Sequence, residues 1–365
     1  MTASVALSSL FLASCIVPTT HSDPADGPAA VAACRQGCDW LAKGEWDKAI
    51  TELDEAIRLD PQFARAYYNR ALAWSGKGEL DNAIRDSDEA IRLNPKYTAA
   101  FVNRGAAWAE KGDWDRAIRD FDEAIRLDPK LLPAWINRGV ARGNKGEWEK
   151  AATDFTEAIR LDPTRADTYA RRGAAWYNSK QYDKALTDLD EAIRLDPTVP
   201  SCFLYRGMAR CQLGQLDGAA DDLDRAIRME PNQPEAFFNR GVVRAKKAEW
   251  AGALADFDEA IRLKPSHADA LNARAMLRGT CPEARLRDGK KAIADARRAC
   301  ELSGWKNPDY LCALADAYAE DGQFDEAIRC QRKAMEDPEY AKTSGDLARR
   351  RLCMYEQTIP VRTGP

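Results

Sequence analysis

Histidine is almost missing from this chain. The 365 residues contain two, His21 and His267, and neither has a metal-ligand or nucleophile partner at a recognisable spacing. Zinc sites and histidine-based nucleophilic sites both depend on such partners, so neither has support here. An excess of basic charge is missing too. Lys and Arg number 54 against 58 Asp and Glu, a net charge of −4, which leaves no electrostatic footprint for nucleic acid. The apolar run Val5 to Leu12 is too short to span a bilayer, which takes roughly 20 residues. No Gly-rich phosphate loop and no kinase motif occur. The glycines fall at helix-packing and turn positions, and no cofactor is expected.

What the chain has instead is repetition. The stretch Thr98 to Leu131 returns when shifted by 34 residues in either direction. Gly105 becomes Gly139, Gly173, Gly207 and Gly241, and Pro129 becomes Pro95, Pro163, Pro197, Pro231 and Pro265. A fixed period of this size means a stack of one supersecondary unit. Within the unit, Ala117, Phe121, Ala124 and Ile125 fall at i, i+4, i+7 and i+8, one face of a helix. Gly112 permits a left-handed cap that ends a first helix. Asp128–Pro129 ends the second, because the residue before proline is pushed out of the α region. Each unit is therefore a helical hairpin. Trp114 and its equivalents Trp46, Trp148, Tyr182 and Trp250 keep the repeat's phase, which reads as inter-helix core rather than a stacking surface for sugars or bases.

Phe101, Gly105, Trp108, Ala117, Phe121, Ala124 and Pro129 fill the places of the tetratricopeptide repeat, and the unit resembles that family. The match covers about nine tenths of the chain and recurs seven times without a gap. The resemblance implies an all-α fold, a TPR α-solenoid forming a right-handed superhelix of hairpins, and a protein or peptide partner. The main departure is Arg104, where the family usually has Leu.

Taken in order, residues 1–15 resemble a signal peptide of the lipoprotein type, with Leu12-Ala13-Ser14-Cys15 placing lipid on Cys15. No Lys or Arg precedes the apolar run, which speaks against that reading, and an apolar tail is the alternative. Residues 16–29 have a linker's composition. Nine repeats are expected over 30–338: 30–63, 64–97, 98–131, 132–165, 166–199, 200–233, 234–267, 268–304 with an insertion, and 305–338. A polar capping helix follows at 339–357 and a tail at 358–365. The segment from Thr280 to Ala327 resembles the C-terminal end of a group of bacterial TPR proteins, whose arrays often follow a signal peptide or a kinase domain. An exported, lipid-anchored location in the cell envelope is expected, with a cytoplasmic one as the alternative.

Ten cysteines remain to be explained. Cys34 and Cys38 are i, i+4 on a weak first helix, where packing or an unrelated thiol pair is expected before a metal. Cys281 and Cys300 flank the insertion, and a disulfide between them would staple it if the protein is exported. Connectivity does not follow from sequence alone.

Two sets of residues carry the structural and functional expectations. Arg70, Arg104, Arg138, Arg172, Arg206, Arg240 and Arg274 share one phase on first helices; Asp86, Asp120, Asp154, Asp188, Asp222, Asp256 and Asp295 share one on second helices. Where the Arg is absent the Asp is absent too, as with Gln36 and Glu52, which predicts a pair bridging the helices of each repeat, Arg104 with Asp120 and Arg138 with Asp154. The resemblance further implies a concave groove. Its lining carries over as Tyr68, Leu72, Val102, Ile136, Val140, Tyr177, Leu204, Met208, Phe238 and Val242. This set is uncharged, so the clamp that grips a C-terminal carboxylate is disfavoured and an apolar peptide is favoured. The expected function is a non-enzymatic interaction scaffold. The alternatives are a structural envelope lipoprotein without a peptide ligand, or a thiol- or metal-dependent enzyme subunit.

Overall fold

The computed structural model describes residues 27–362, and each period of the sequence becomes two antiparallel helices. The leader 1–15 with Cys15, and most of the linker, lie outside the described residues. The chain divides into two compact units, the first ending at Pro197 and the second beginning at Thr198. Sequence periodicity alone reads as one uninterrupted array. A stack in which each hairpin packs on its neighbours has no core common to its whole length, so it can divide in this way.

The first unit contains α1 (Pro28–Ala42), α2 (Trp46–Leu59), α3 (Ala64–Gly76), α4 (Leu80–Leu93) and α5 (Thr98–Glu110). It continues with α6 (Trp114–Leu127), α7 (Leu132–Asn144), α8 (Trp148–Leu161), α9 (Ala166–Asn178) and α10 (Tyr182–Leu195). The second contains α11 (Pro200–Gln212), α12 (Leu216–Met229), α13 (Pro234–Lys246), α14 (Trp250–Leu263) and α15 (Ala268–Thr280). A 3-10 turn at Ala284–Leu286 precedes α16 (Gly289–Leu302), α17 (Pro308–Glu320), α18 (Phe324–Ala334) and α19 (Pro338–Glu356). None of the described helices is long and apolar enough to cross a membrane.

Helix ends follow local chemistry. α1 starts at Pro28, inside the stretch read as linker, because proline suits the first helical turn and loses no hydrogen bond there. α17 starts at Pro308 rather than near 305. Gly304 and Trp305 both adopt left-handed φ, and the Asn307 side chain then caps the helix by accepting from the Asp309 amide at 3.0 Å. Asp128 leaves the helical region at φ −138°, and its carboxylate accepts from the Lys130 amide at 2.9 Å, closing the turn before the next hairpin.

Two glycine positions are set by physics. Gly112 ends α5 with φ +79°. In two repeats a residue other than glycine takes the same left-handed turn, and Lys180 and Ala248 are held at φ 63° and 58°. A left-handed L-residue costs about 1–2 kcal/mol, partly offset by the extra chain entropy glycine loses on folding. Ala248→Gly should therefore stabilise the protein by up to about 1 kcal/mol in urea unfolding, whereas Ala→Gly inside a helix destabilises by a similar amount.

The second position is Gly105, where an added Cβ would sit 2.7 Å from the Phe121 ring; Gly139 and Phe155 show the same 2.7 Å approach. The ring fills the space that the glycine leaves, and both Phe121 and Phe155 are fully buried. Burial of such a side chain is worth roughly 1.5–3 kcal/mol. The hairpins with Ala71 and Ala275 in place of this glycine carry the small Ser87 and Ala296 at the ring's position.

Candidate interaction surfaces

The arginines that replace the family's leucine hold the stack together. Arg104 donates from Nε and Nη2 to the Asp120 carboxylate at 2.9 and 2.6 Å, and from Nη1 to Asp88 of the preceding hairpin at 2.5 Å. Arg70 joins Asp86 and Asp54, Arg240 joins Asp256 and Asp224, and Arg274 joins Asp295 and Asp258 in the same way. Burial alone would lower the Arg104 pKa, but the two carboxylates more than offset it, and the guanidinium is held charged. Arg138 donates to Asp154, which also accepts from Arg142 at 2.8 Å and is wholly enclosed. Arg210 and Arg244, in the place of Trp108, add the same second contact to Asp222 and Asp256. Gly218 and Gly252 make room for them, since a Cβ there would lie 3.3 and 3.2 Å from the arginine Cδ. These charges are spent inside the protein and offer little to a partner.

The residues expected to line an open groove are mostly interior. Tyr68, Leu72, Val102, Val140, Tyr177, Leu204 and Met208 are all buried; only Ile136, Phe238 and Val242 are half-buried. Successive first helices explain this. α1 lies against α3, and α5 against α7, so an apolar side chain on the inner face meets the next first helix rather than water. Tyr68 and Leu72 join the cluster of Cys34, Leu53 and Phe63, and Phe238 stacks on Phe257 and His267 at ring distances of 6.1 and 5.0 Å.

The Cys281–Cys300 bridge is also absent. Both thiols are free, and they lie in different apolar clusters: Cys281 with Phe257 and Leu277, Cys300 with Tyr310 and Leu314. Burial pushes the Cys300 thiol up to about 12. Cys34 behaves differently. Its neighbour Cys38, the Asn69 amide and Arg65 together lower its pKa despite burial, and Cys38, which donates to it, is pushed up. Among the described residues no three His, Cys, Asp or Glu side chains gather as a metal site.

A cleft of about 300 Å³ opens in the second unit between α15, α17 and α19. Asp269, Asn272 and Met276 line one wall; they stand 34 residues after Glu235, Phe238 and Val242 and so continue the groove's own register. Asp309, Tyr310 and Cys312 line a second wall, and Tyr340, Ser344, Leu347 and Arg351 a third. Tyr310 donates to Asp269 at 2.7 Å, and the Tyr340 hydroxyl lies 2.8 Å from the Cys312 sulfur. Arg351 pairs at 3.2 Å with Asp316, which is fully buried and accepts from Tyr355 at 2.5 Å. Burial raises the Asp316 pKa, and Arg351 and Tyr355 act against it. Asn272 Oδ1 and Arg351 Nε, though shielded from solvent, have no hydrogen-bond partner, whereas Leu347 is 54% exposed. Periodicity reaches the α15 wall, since Asn272 is simply the next step after Phe238. The α19 wall lies outside the repeat and carries no such signal.

Tetratricopeptide repeat profiles match residues 64–97, 98–131, 133–165, 166–199 and 308–336, and a TPR repeat profile matches 41–74 and 207–248. Among solved structures, pilF of Pseudomonas aeruginosa aligns at 20% identity and a TM-score of 0.51, over 57% of this chain and 95% of that one. A tetratricopeptide repeat protein from Parabacteroides merdae aligns at 18% identity and 0.52, over 65% and 94%. YrrB, described as a TPR protein with an unusual peptide-binding site, aligns at 26% identity and 0.44, over 52% and 97%. No curated protein matches the chain significantly. The first two likenesses bear on the fold alone.

Proposed function

Because the chain belongs to the tetratricopeptide repeat family, whose fold generally mediates protein–protein interaction, we propose that it is a non-enzymatic scaffold that takes a short segment of a partner protein in the cleft between α15, α17 and α19. The carrying observation is an unpaired amide oxygen, Asn272 Oδ1, lining a cleft beside the exposed Leu347. A peptide N–H would satisfy the first, and an apolar side chain would cover the second. The volume is at the small end for ligand sites, which suits one or two anchor side chains rather than a folded surface. The buried series from Tyr68 to Met208 then serves as the spine of the stack.

A photo-crosslinking amino acid at position 347 should capture the partner in native extract. The same group at Leu59, an equally apolar exposed site on α2, should not. Capture at both positions or at neither would remove the cleft from the account.

The same proposal places the protein in the cell envelope, tethered by lipid on Cys15. Its support is the segment Leu12-Ala13-Ser14-Cys15. Loss of membrane association in Cys15→Ser tests it, and an intact N-terminus on the native protein would refute it.

A further inference from the structure

The thiols of Cys34 and Cys38 have an arrangement that no other cysteine pair among the described residues shares. They stand one helical turn apart on the inner face of α1, where i and i+4 side chains lie one above the other. Asn69, reaching across from α3, points its amide nitrogen at both sulfurs, 3.4 Å from Cys34 and 3.1 Å from Cys38. The positive charge of Arg65, also on α3, acts on Cys34 and favours its charged form. Cys34 is buried and Cys38 is half-exposed, so the pair has a closed inner end and an outer end open to solvent.

Donors that converge on sulfur favour its anionic form, which is the Cys34 thiolate here, while Cys38 donates to it and keeps its proton until a soft cation displaces it. Among the described residues no third His, Cys, Asp or Glu joins the pair, and zinc takes four ligands, which argues against zinc. Two sulfurs are enough for a d10 monovalent ion that accepts linear coordination.

We propose that Cys34 and Cys38 form a two-coordinate site for Cu(I). Binding releases the Cys38 thiol proton and forms two Cu–S bonds: Cu(I), one thiolate and one thiol give a bis-thiolate cuprous anion and one proton. No electron is transferred. The product carries one negative charge, which Arg65 faces and the Asn69 amide solvates. Asn69 thus holds the two sulfurs in place through its amide, and its loss should weaken the site about 10–100-fold. Copper enters from the Cys38 side.

The test is anaerobic competition of the reduced full-length protein with the chromogenic chelator bicinchoninate for Cu(I). Wild type should withhold one equivalent of copper, with two sulfur neighbours by X-ray absorption. Cys34→Ser and Cys38→Ser should each lose it, and Asn69→Ala should weaken it while both thiols remain. Cys353→Ser, which removes an exposed thiol on α19, should keep it. Circular dichroism confirms that each variant is folded. Copper withheld equally by the Cys34→Ser/Cys38→Ser double variant, or no copper withheld by wild type, would overturn the assignment.

Discussion

Asp154→Ala should cost about 3–5 kcal/mol of stability, far more than an ordinary surface change. Asp154 is 0% exposed and accepts from both Arg138 and Arg142. Truncation leaves two guanidiniums in a largely enclosed site without the carboxylate that neutralises them. Arg138 would keep only Asp122, whose side chain is 49% exposed. The contrast variant is therefore Asp122→Ala, which breaks a pair facing water and should cost about 1 kcal/mol or less. Urea unfolding of the two variants side by side decides the matter. Equal midpoints would mean that the arginines are held by packing alone.

The second large effect should come from Arg351→Ala. It strips the counter-charge from Asp316, which is buried completely between α17 and α19 and retains only the Tyr355 hydroxyl. An unpaired buried carboxylate costs about 3–5 kcal/mol. The readout is local: amides of α19 should lose hydrogen-exchange protection while those of α5 and α6 keep theirs. The pH dependence has a defined sign. Burial already raises the folded-state pKa of Asp316 above its unfolded value of about 3.9, and removing Arg351 raises it further. The folded state then holds the proton more tightly than the unfolded state. The penalty is full above the folded pKa and shrinks as pH falls towards the unfolded value. The variant should thus recover stability relative to wild type on acidification. A penalty that does not vary with pH would show that Asp316 is not the group left exposed.

Much of this architecture is legible in the residues themselves. Hairpin limits follow from Gly112 and from Asp128–Pro129, because both act within a single turn of chain. The Arg–Asp nodes are legible because two positions vary together within one chain. The orientation of the apolar inner residues is not. Leu72 or Val140 on the inner face could line an open groove or pack on the next first helix, and helical periodicity is identical in both cases. What decides is the spacing between successive first helices. The cleft's far wall is illegible for a different reason. α19 has no counterpart in the repeat, and its docking depends on Asp316, Arg351 and Tyr355, three residues brought together by the tertiary fold. The Cys281–Cys300 expectation failed on the same ground, since flanking an insertion says nothing about which core each thiol enters.

The arginine nodes of the first unit differ in what they meet on the previous hairpin. Arg70, Arg104 and Arg138 each reach back to a carboxylate on the previous hairpin, but Arg172 finds Thr156 there and donates to its hydroxyl at 3.1 Å. A neutral acceptor makes a weaker bond than an ionised one. The junction between α8 and α9 is therefore a perforation in an otherwise riveted strip. In an optical trap, or under a protease that cuts loosened chain, that unit should tear first along this line and peel away α9 and α10 as one piece.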